Sequence, residues 1–217
     1  MLPWVRDVAK EFLQRIYLRR QFLWRLPDST NVVALTFDDG PDPVFTPALL
    51  DLLARENVTA SFFLIGSKVE QFPDIAKRLV NEGHKIGGHT HSHIEITLLS
   101  AEGINSEMER CRVAIRNATG VDTTLFRPPR GKVNFTSLRR VCSLGYLFVH
   151  WSKTYSDYVP SGSAALIKRM RDNPIKSRDI VLLHDHNQDT ISALAQFIPE
   201  WKRSGIVFKG LEHSQAG

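Results

Sequence analysis

Cysteine is nearly absent: the 217 residues hold only Cys111 and Cys142. Two cysteines outside any paired-ligand pattern exclude a disulfide framework or a thiolate metal knot, and both read as buried, reduced thiols without chemistry. Long apolar runs are missing as well. No stretch of about eighteen uncharged apolar residues occurs, so no spanning helix is expected. The start lacks the basic, apolar and small-residue succession of a secretory signal, and the sequence therefore predicts a cytoplasmic protein. Low-complexity linkers are also lacking, and with 42% hydrophobic residues the length suits one domain with a full core and a cleft.

Net charge is scarce in the body of the chain. Residues 1–27 carry Arg6, Lys10, Arg15, Arg19, Arg20 and Arg25 against Asp7 and Glu11, so most of the formal charge of +5 sits there. A nucleic-acid surface would need basic residues spread over the domain and interleaved with stacking aromatics, so no nucleic-acid partner is expected. Val5, Val8, Phe12 and Ile16 recur at helical spacing, and residues 3–24 read as an amphipathic helix preceding a domain over 28–217. Its basic and aromatic residues would suit a peripheral contact with an anionic membrane. Covering one end of the core is the commoner use of such a stripe.

From residue 31 short apolar runs alternate with helical patterns. Strands are expected at Val32–Phe37, Thr59–Ile65, Lys85–Gly88, Thr124–Phe126, Tyr146–His150, Ile180–Leu183 and Ile206–Phe208. Helices are expected at Phe45–Arg55, Pro73–Glu82, Ala101–Ala118, Phe135–Leu144, Ala164–Arg171 and Thr190–Arg203. Alternation of this kind predicts an α/β fold, a parallel sheet curled into a distorted (β/α) barrel.

In a barrel the reactive groups belong at the carboxyl ends of the strands, and the polar clusters of this sequence fall there. The first run delivers Asp38 and Asp39, adjacent carboxylates that point in different directions. The third delivers His89 and His93, whose spacing lets two imidazoles meet one cation. His91 between them should face elsewhere, and His84, His150 and His213 stand alone. After the fourth run, Arg127 precedes Pro128, Pro129 and Arg130, where two prolines stiffen the backbone. The sixth run ends in His184, Asp185 and His186, and a histidine there can exchange protons near neutral pH.

Four strings, Thr36-Phe37-Asp38-Asp39-Gly40-Pro41, His89-Thr90-His91-Ser92-His93, Arg127-Pro128-Pro129-Arg130-Gly131 and Leu182-Leu183-His184-Asp185, resemble successive motifs of the polysaccharide deacetylase (NodB-like) family, carbohydrate esterase family four. Their order and spacing match over residues 31–210. The resemblance implies a (β/α) barrel of seven strands and a divalent cation held by Asp39, His89 and His93. Zinc is the default ion, and cobalt or nickel would suit the same donors. It also implies Asp38 as general base, Arg127 as its partner, His184 as general acid, and a backbone N–H at Arg130 for the developing oxyanion. Pro129, Asp157, Tyr158 and Leu182 are the further expected substrate contacts.

Two departures from the family pattern carry expectations of their own. Arg130 replaces the usual tyrosine, and a guanidinium beside the cleft would suit an anionic group on the substrate. Thr154 stands where the family has the aspartate that tunes the acid histidine. That exchange implies a lowered proton affinity at His184 unless Asp157 or Asp185 takes over. The resulting expectation is hydrolysis of an N-acetyl group on a saccharide, nucleotide-linked or lipid-linked amino sugar. Alternatives on the same residues are an ester deacetylase, a non-sugar C–N hydrolase, or a retired barrel that binds sugar without turnover.

Overall fold

The computed structural model describes residues 21–27 and 30–212. Among these residues nine strands form a parallel sheet: β1 Phe22–Leu23, β2 Val32–Asp38, β3 Ser61–Leu64, β4 Lys85–Gly88, β5 Leu125–Phe126, β6 Leu147–Val149, β7 Lys153–Thr154, β8 Ile180–His184 and β9 Val207–Phe208. Eight follow the order β1-β6-β5-β4-β3-β2-β8-β7, and β9 pairs with the first residues of β2. Seven helices accompany them: α1 Phe45–Arg55, α2 Gly66–Gln71, α3 Pro73–Asn81, α4 Ala101–Thr119, α5 Phe135–Ser143, α6 Ser163–Asp172 and α7 Gln188–Arg203. The sheet curls until its ends meet at the base, where Arg25 bridges to Asp179 and the Leu26 N–H donates to the Arg178 carbonyl. This is the distorted barrel expected from the alternation.

The period of two along each strand sorts inside from outside. In β2, Val33, Leu35 and Phe37 pack outward under the helices, while Ala34 joins Phe63, Leu125 and Ile180 in the barrel interior. Thr36 and Asp38 share the phase of Ala34 and face inward with it. In β8 the outward pair is Val181 and Leu183, leaving Leu182 and His184 with Ile180 on the inner face. Both faces are covered, which is why these strands read as continuous apolar runs. Full burial of one such Phe or Leu side chain contributes about 1.5–3 kcal/mol, so the wall that carries the inward polar groups is rigid.

Helix ends are set by local chemistry. Ser100 caps α4 by accepting from the Gly103 N–H, and Gly120 ends it at a left-handed φ of 76°. Asn134 and Ser137 form a reciprocal box at the start of α5, and Asn187 caps α7 through the Thr190 N–H.

The helix expected over residues 3–24 needs correction at its end. Phe22–Leu23 is a strand paired with β6, and Leu23, Trp24 and Leu26 are buried in the barrel. Ahead of the boundary expected at 27/28, Phe22–Leu23 and the Arg25 bridge already pair with the sheet. Residues 3–20 of that helix lie outside the described residues, as does His213. No helix among the described residues is long and apolar enough to cross a membrane. Both thiols are free and buried, and burial pushes Cys111 up to about 12 and Cys142 to about 11.

Candidate active site

β2 and β8 lie side by side with Asp38 opposite His184 in register. Both inward phases end at the barrel mouth, so a carboxylate and an imidazole stand on neighbouring strands, roughly 4.8 Å apart in backbone spacing. The residue after β2, Asp39, takes a left-handed φ of 73°. That turn swings its carboxylate away from the path of Asp38 and toward the loop after β4.

That loop carries His89, buried at the strand end, and His93, half-buried at a φ of 60°. Asp39 Oδ1 lies 3.4 Å from His89 Nε2 and 3.1 Å from His93 Nε2. One ligand atom from each of the three residues falls within 4.8 Å of the others. His89 Nδ1 sits 2.8 Å from the Arg127 carbonyl. A carbonyl only accepts, so Nδ1 carries a proton and the ring aims Nε2 at Asp39. Burial pushes the Asp39 carboxyl up, but the hydrogen bonds of His89 and His93 and the charges of His89 and His184 outweigh it and hold Asp39 well below the usual carboxylate range. Two imidazole nitrogens and an ionised carboxylate are a donor set that fits zinc, cobalt or nickel.

Asp38 is fixed from beneath. Its Oδ1 accepts from Arg127 Nη1 at 2.6 Å, and the same nitrogen reaches Thr36 Oγ1 at 2.8 Å. Nη2 donates to the His150 carbonyl at 3.1 Å, and the guanidinium lies over the Phe63 ring at 4.1 Å. Arg127 is fully buried: desolvation lowers its proton affinity while the Asp38 charge and hydrogen bond raise it. With Oδ1 engaged, Asp38 Oδ2 is the freer oxygen, 3.9 Å from His89 Nε2.

His184 is held by Asp157, not by the residue at 154. Nδ1 lies 2.9 Å from Asp157 Oδ1, the His184 N–H donates to Oδ2 at 2.7 Å, and Thr190 Oγ1 donates to Oδ2 at 2.8 Å. Burial alone would lower the imidazole; the bond and charge of Asp157, with the charges of Asp38 and Asp39, raise it to about 9. Of the two outcomes expected at Thr154, the structure takes the second: Asp157 replaces the missing carboxylate, and the affinity of His184 is not lowered. Thr154 is exposed on the cleft wall, and its hydroxyl accepts from the Ser156 N–H at 3.4 Å. Asp185 is not the substitute either. It is buried behind Gly40, accepts from Thr46 Oγ1 at 2.5 Å, and is pushed up to about 7 by desolvation.

A cleft of about 450 Å³ opens above these groups, lined by Asp38, Asp39, His89, His93, His184 and Leu182 on one side. Arg130, Gly131, Trp151, Thr154 and Tyr158 line the remainder. Pro129 is buried beneath, at the start of a 3₁₀ turn over Pro129–Gly131 in which Arg130 has a φ of 58°. The Tyr158 ring stands edge-on to His184 at 5.5 Å. The Arg130 guanidinium, exposed at the rim, pairs through Nη1 with Glu95 at 2.7 Å, and Lys132 shares the same carboxylate.

His91 faces elsewhere, as its position between the ligands implies, buried near Glu70 at 3.8 Å. His84 is structural, accepting from the Ala60 N–H beside the Phe62 ring. His150 stacks on Trp151 at 4.0 Å. The sequence reading missed Thr36, Lys68 and Trp151. Thr36 was findable, since it sits two residues before Asp38 on the same strand face. Lys68 Nζ donates to the Asp39 carbonyl at 2.7 Å from α2, and nothing in its sequence context signals that.

The polysaccharide deacetylase family is matched over residues 25–149. The peptidoglycan-N-acetylglucosamine deacetylase of Bacillus cereus is 36% identical over 190 residues, 85% of this chain and 88% of that protein. The peptidoglycan-N-acetylmuramic acid deacetylase PdaA of Bacillus subtilis is 34% identical over 186 residues, 84% and 70% of the two chains. The crystal structure of the Bc1960 peptidoglycan N-acetylglucosamine deacetylase, in complex with 4-naphthalen-1-yl-N-oxidanyl-benzamide, superposes with a TM-score of 0.84 at 32% identity. That superposition covers 89% of this chain and 92% of the other. A shared barrel and identity at this level over most of the length establish descent: the chain belongs to the polysaccharide deacetylase family.

Proposed function

We propose that this chain is a divalent-metal-dependent N-deacetylase that removes acetyl from an amino-sugar residue of a peptidoglycan-type glycan. The observation that carries the reading is the convergence of three ligand atoms within 4.8 Å beside a second carboxylate and a carboxylate-bound imidazole. Asp39, His89 and His93 would hold the cation. When bound, such a cation acidifies water and polarises a carbonyl oxygen.

The remaining roles belong to the chain's own side chains. Asp38, oriented through Oδ1 by Arg127, accepts the proton of the attacking water at Oδ2. The Arg130 backbone N–H stabilises negative charge developing on the acetyl oxygen. His184 enters protonated, because Asp157 holds its Nδ1–H, and donates from Nε2 to the departing amine nitrogen. Acetate and a free amine result. Trp151 and Tyr158 offer aromatic walls for a pyranose ring in a cleft with few polar anchors. The relatives named for N-acetylglucosamine and N-acetylmuramic acid support a glycan substrate. The intact ligand set and acid–base pair weigh against a retired barrel.

The test is acetate release from N-acetylglucosamine oligomers and purified peptidoglycan, with O-acetylated xylan as the ester control. Release from the amide substrates should stop with a chelator and return with zinc or cobalt. Release indifferent to chelation, or confined to the ester, would overturn the reading.

A further inference from the structure

The loop between the two histidine ligands is held from outside by a residue that the metal–acid–base arrangement does not use. Between His89 and His93 the chain takes a left-handed conformation twice, at Thr90 with a φ of 61° and at His93 with a φ of 60°. Neither residue is glycine, so the loop keeps this shape only if its surroundings impose it.

The carbonyls of the loop are engaged by α2: the Gly66 N–H donates to the Thr90 carbonyl at 3.0 Å and the Ser67 N–H to the His91 carbonyl at 2.9 Å. Its amides are engaged by one atom. Glu107 Oε2, on α4, accepts from the His91 N–H at 2.9 Å and from the Ser92 N–H at 2.8 Å. Two successive amides converging on one carboxylate oxygen form an anion-holding concavity, filled here by the protein itself.

Glu107 stands one turn before Cys111 and two before Ala114, both buried on the face of α4 that meets the sheet. The Cys111 thiol donates to the Leu64 carbonyl at the top of β3, so this face is seated at the barrel mouth. Among the described residues, the half-buried Glu107 carboxylate accepts from these two loop amides alone.

We propose that Glu107 is a positioning residue for the metal centre: it fixes the turn at 90–92 and thereby sets where His93 presents Nε2 relative to His89 and Asp39. The inference rests on the proposed metal site and deepens it. Partners behind first ligands tune metal affinity by about 10–100-fold.

The test is titration of the purified, metal-free chain with Co²⁺, reading the dissociation constant and the visible d–d bands, beside its thermal midpoint without metal. Glu107→Ala should weaken Co²⁺ binding by about 10–100-fold and change the band envelope. Glu107→Gln keeps a carbonyl oxygen at the same reach and should remain within about threefold of the parent. Glu107→Asp, one methylene shorter, should bind more weakly than Glu107→Gln.

Parental affinity and bands in a folded Glu107→Ala would overturn the proposal, since a merely structural role lowers only the midpoint. Should Glu107→Ala not fold, the Asp and Gln variants decide, and Asp binding as tightly as Gln overturns it. A parent chain that binds no Co²⁺ sinks the metal site and this inference together, whereas a binding parent with an indifferent Glu107 sinks the inference alone.

Discussion

At the scale of single residues, the site is a set of charges that the barrel wall keeps from neutralising wrongly. His184 is the clearest case. Its proton affinity is lowered by burial and raised more by Asp157, then by Asp38 and Asp39, ending at about 9. An acid with that affinity is protonated through neutral pH and loses its proton, and its role, as pH climbs toward 9. Asp157→Asn removes the charge that faces Nδ1 while leaving burial in place, so the alkaline limb of the kcat profile should move to lower pH. A drop in kcat of about 10²–10⁴ should accompany it. A limb that stays put would show that another group sets it. Arg127 makes a second residue-scale test. Asp38 is buried with this guanidinium as its partner, and removing one member of a buried pair costs about 3–5 kcal/mol. Arg127→Met should therefore destabilise the chain by that amount in denaturant unfolding, and a loss below about 1 kcal/mol would mean that the pair does not hold the barrel mouth together.

At the scale of elements, the strands and most helices were legible because their signals are periodic, whereas the turns that aim the ligands were not. All seven expected strands exist, and all six expected helices fall within two residues of their observed ends. β1 escaped because Phe22 and Leu23 read as the end of an amphipathic helix, and β7 because Lys153–Thr154 offers no apolar run. The short α2 opens on Gly66, which reads as punctuation. The site was legible as a list of residues, since acids and histidines follow strand ends, but its wiring was not. Asp39, Thr90, His93 and Arg130 all sit at positive φ, and sequence gives no sign of such values outside glycine. The Thr154 expectation left two aspartates open for a related reason: motif register showed which carboxylate was missing, while the path after β7 decided that Asp157 and not Asp185 meets His184. The 3₁₀ turn after β5 supplies an element-scale prediction. Gly131 has a φ of 63°, and an added Cβ would come within 2.3 Å of the Trp151 ring. Gly131→Ala should displace Trp151 or the turn and depress deacetylation by tenfold or more, with Co²⁺ affinity within about threefold of the parent because no metal ligand lies on that turn. Equal losses of metal binding and activity would contradict this separation.

At the scale of the whole molecule, the proposed metal ties together two loops that rise from different parts of the sheet. Asp39 follows β2, and His89 and His93 follow β4, with β3 between them. Unfolding scatters these donors, so a cation that binds only the folded chain stabilises it by mass action. At a free concentration of about one hundred times Kd the gain is about 2.7 kcal/mol. For a chain of this size that corresponds to a rise in thermal midpoint of about 5–10 °C. Asp39→Asn separates ligation from folding, because asparagine accepts a left-handed φ as readily as aspartate but brings no charge to the two imidazoles. The variant should melt near the metal-free parent and show little or no rise with zinc, while the parent should fall back when the ion is chelated. A zinc-dependent rise as large in Asp39→Asn as in the parent would place the stabilising ion elsewhere, and the loops after β2 and β4 would then lose their claim to a common cation.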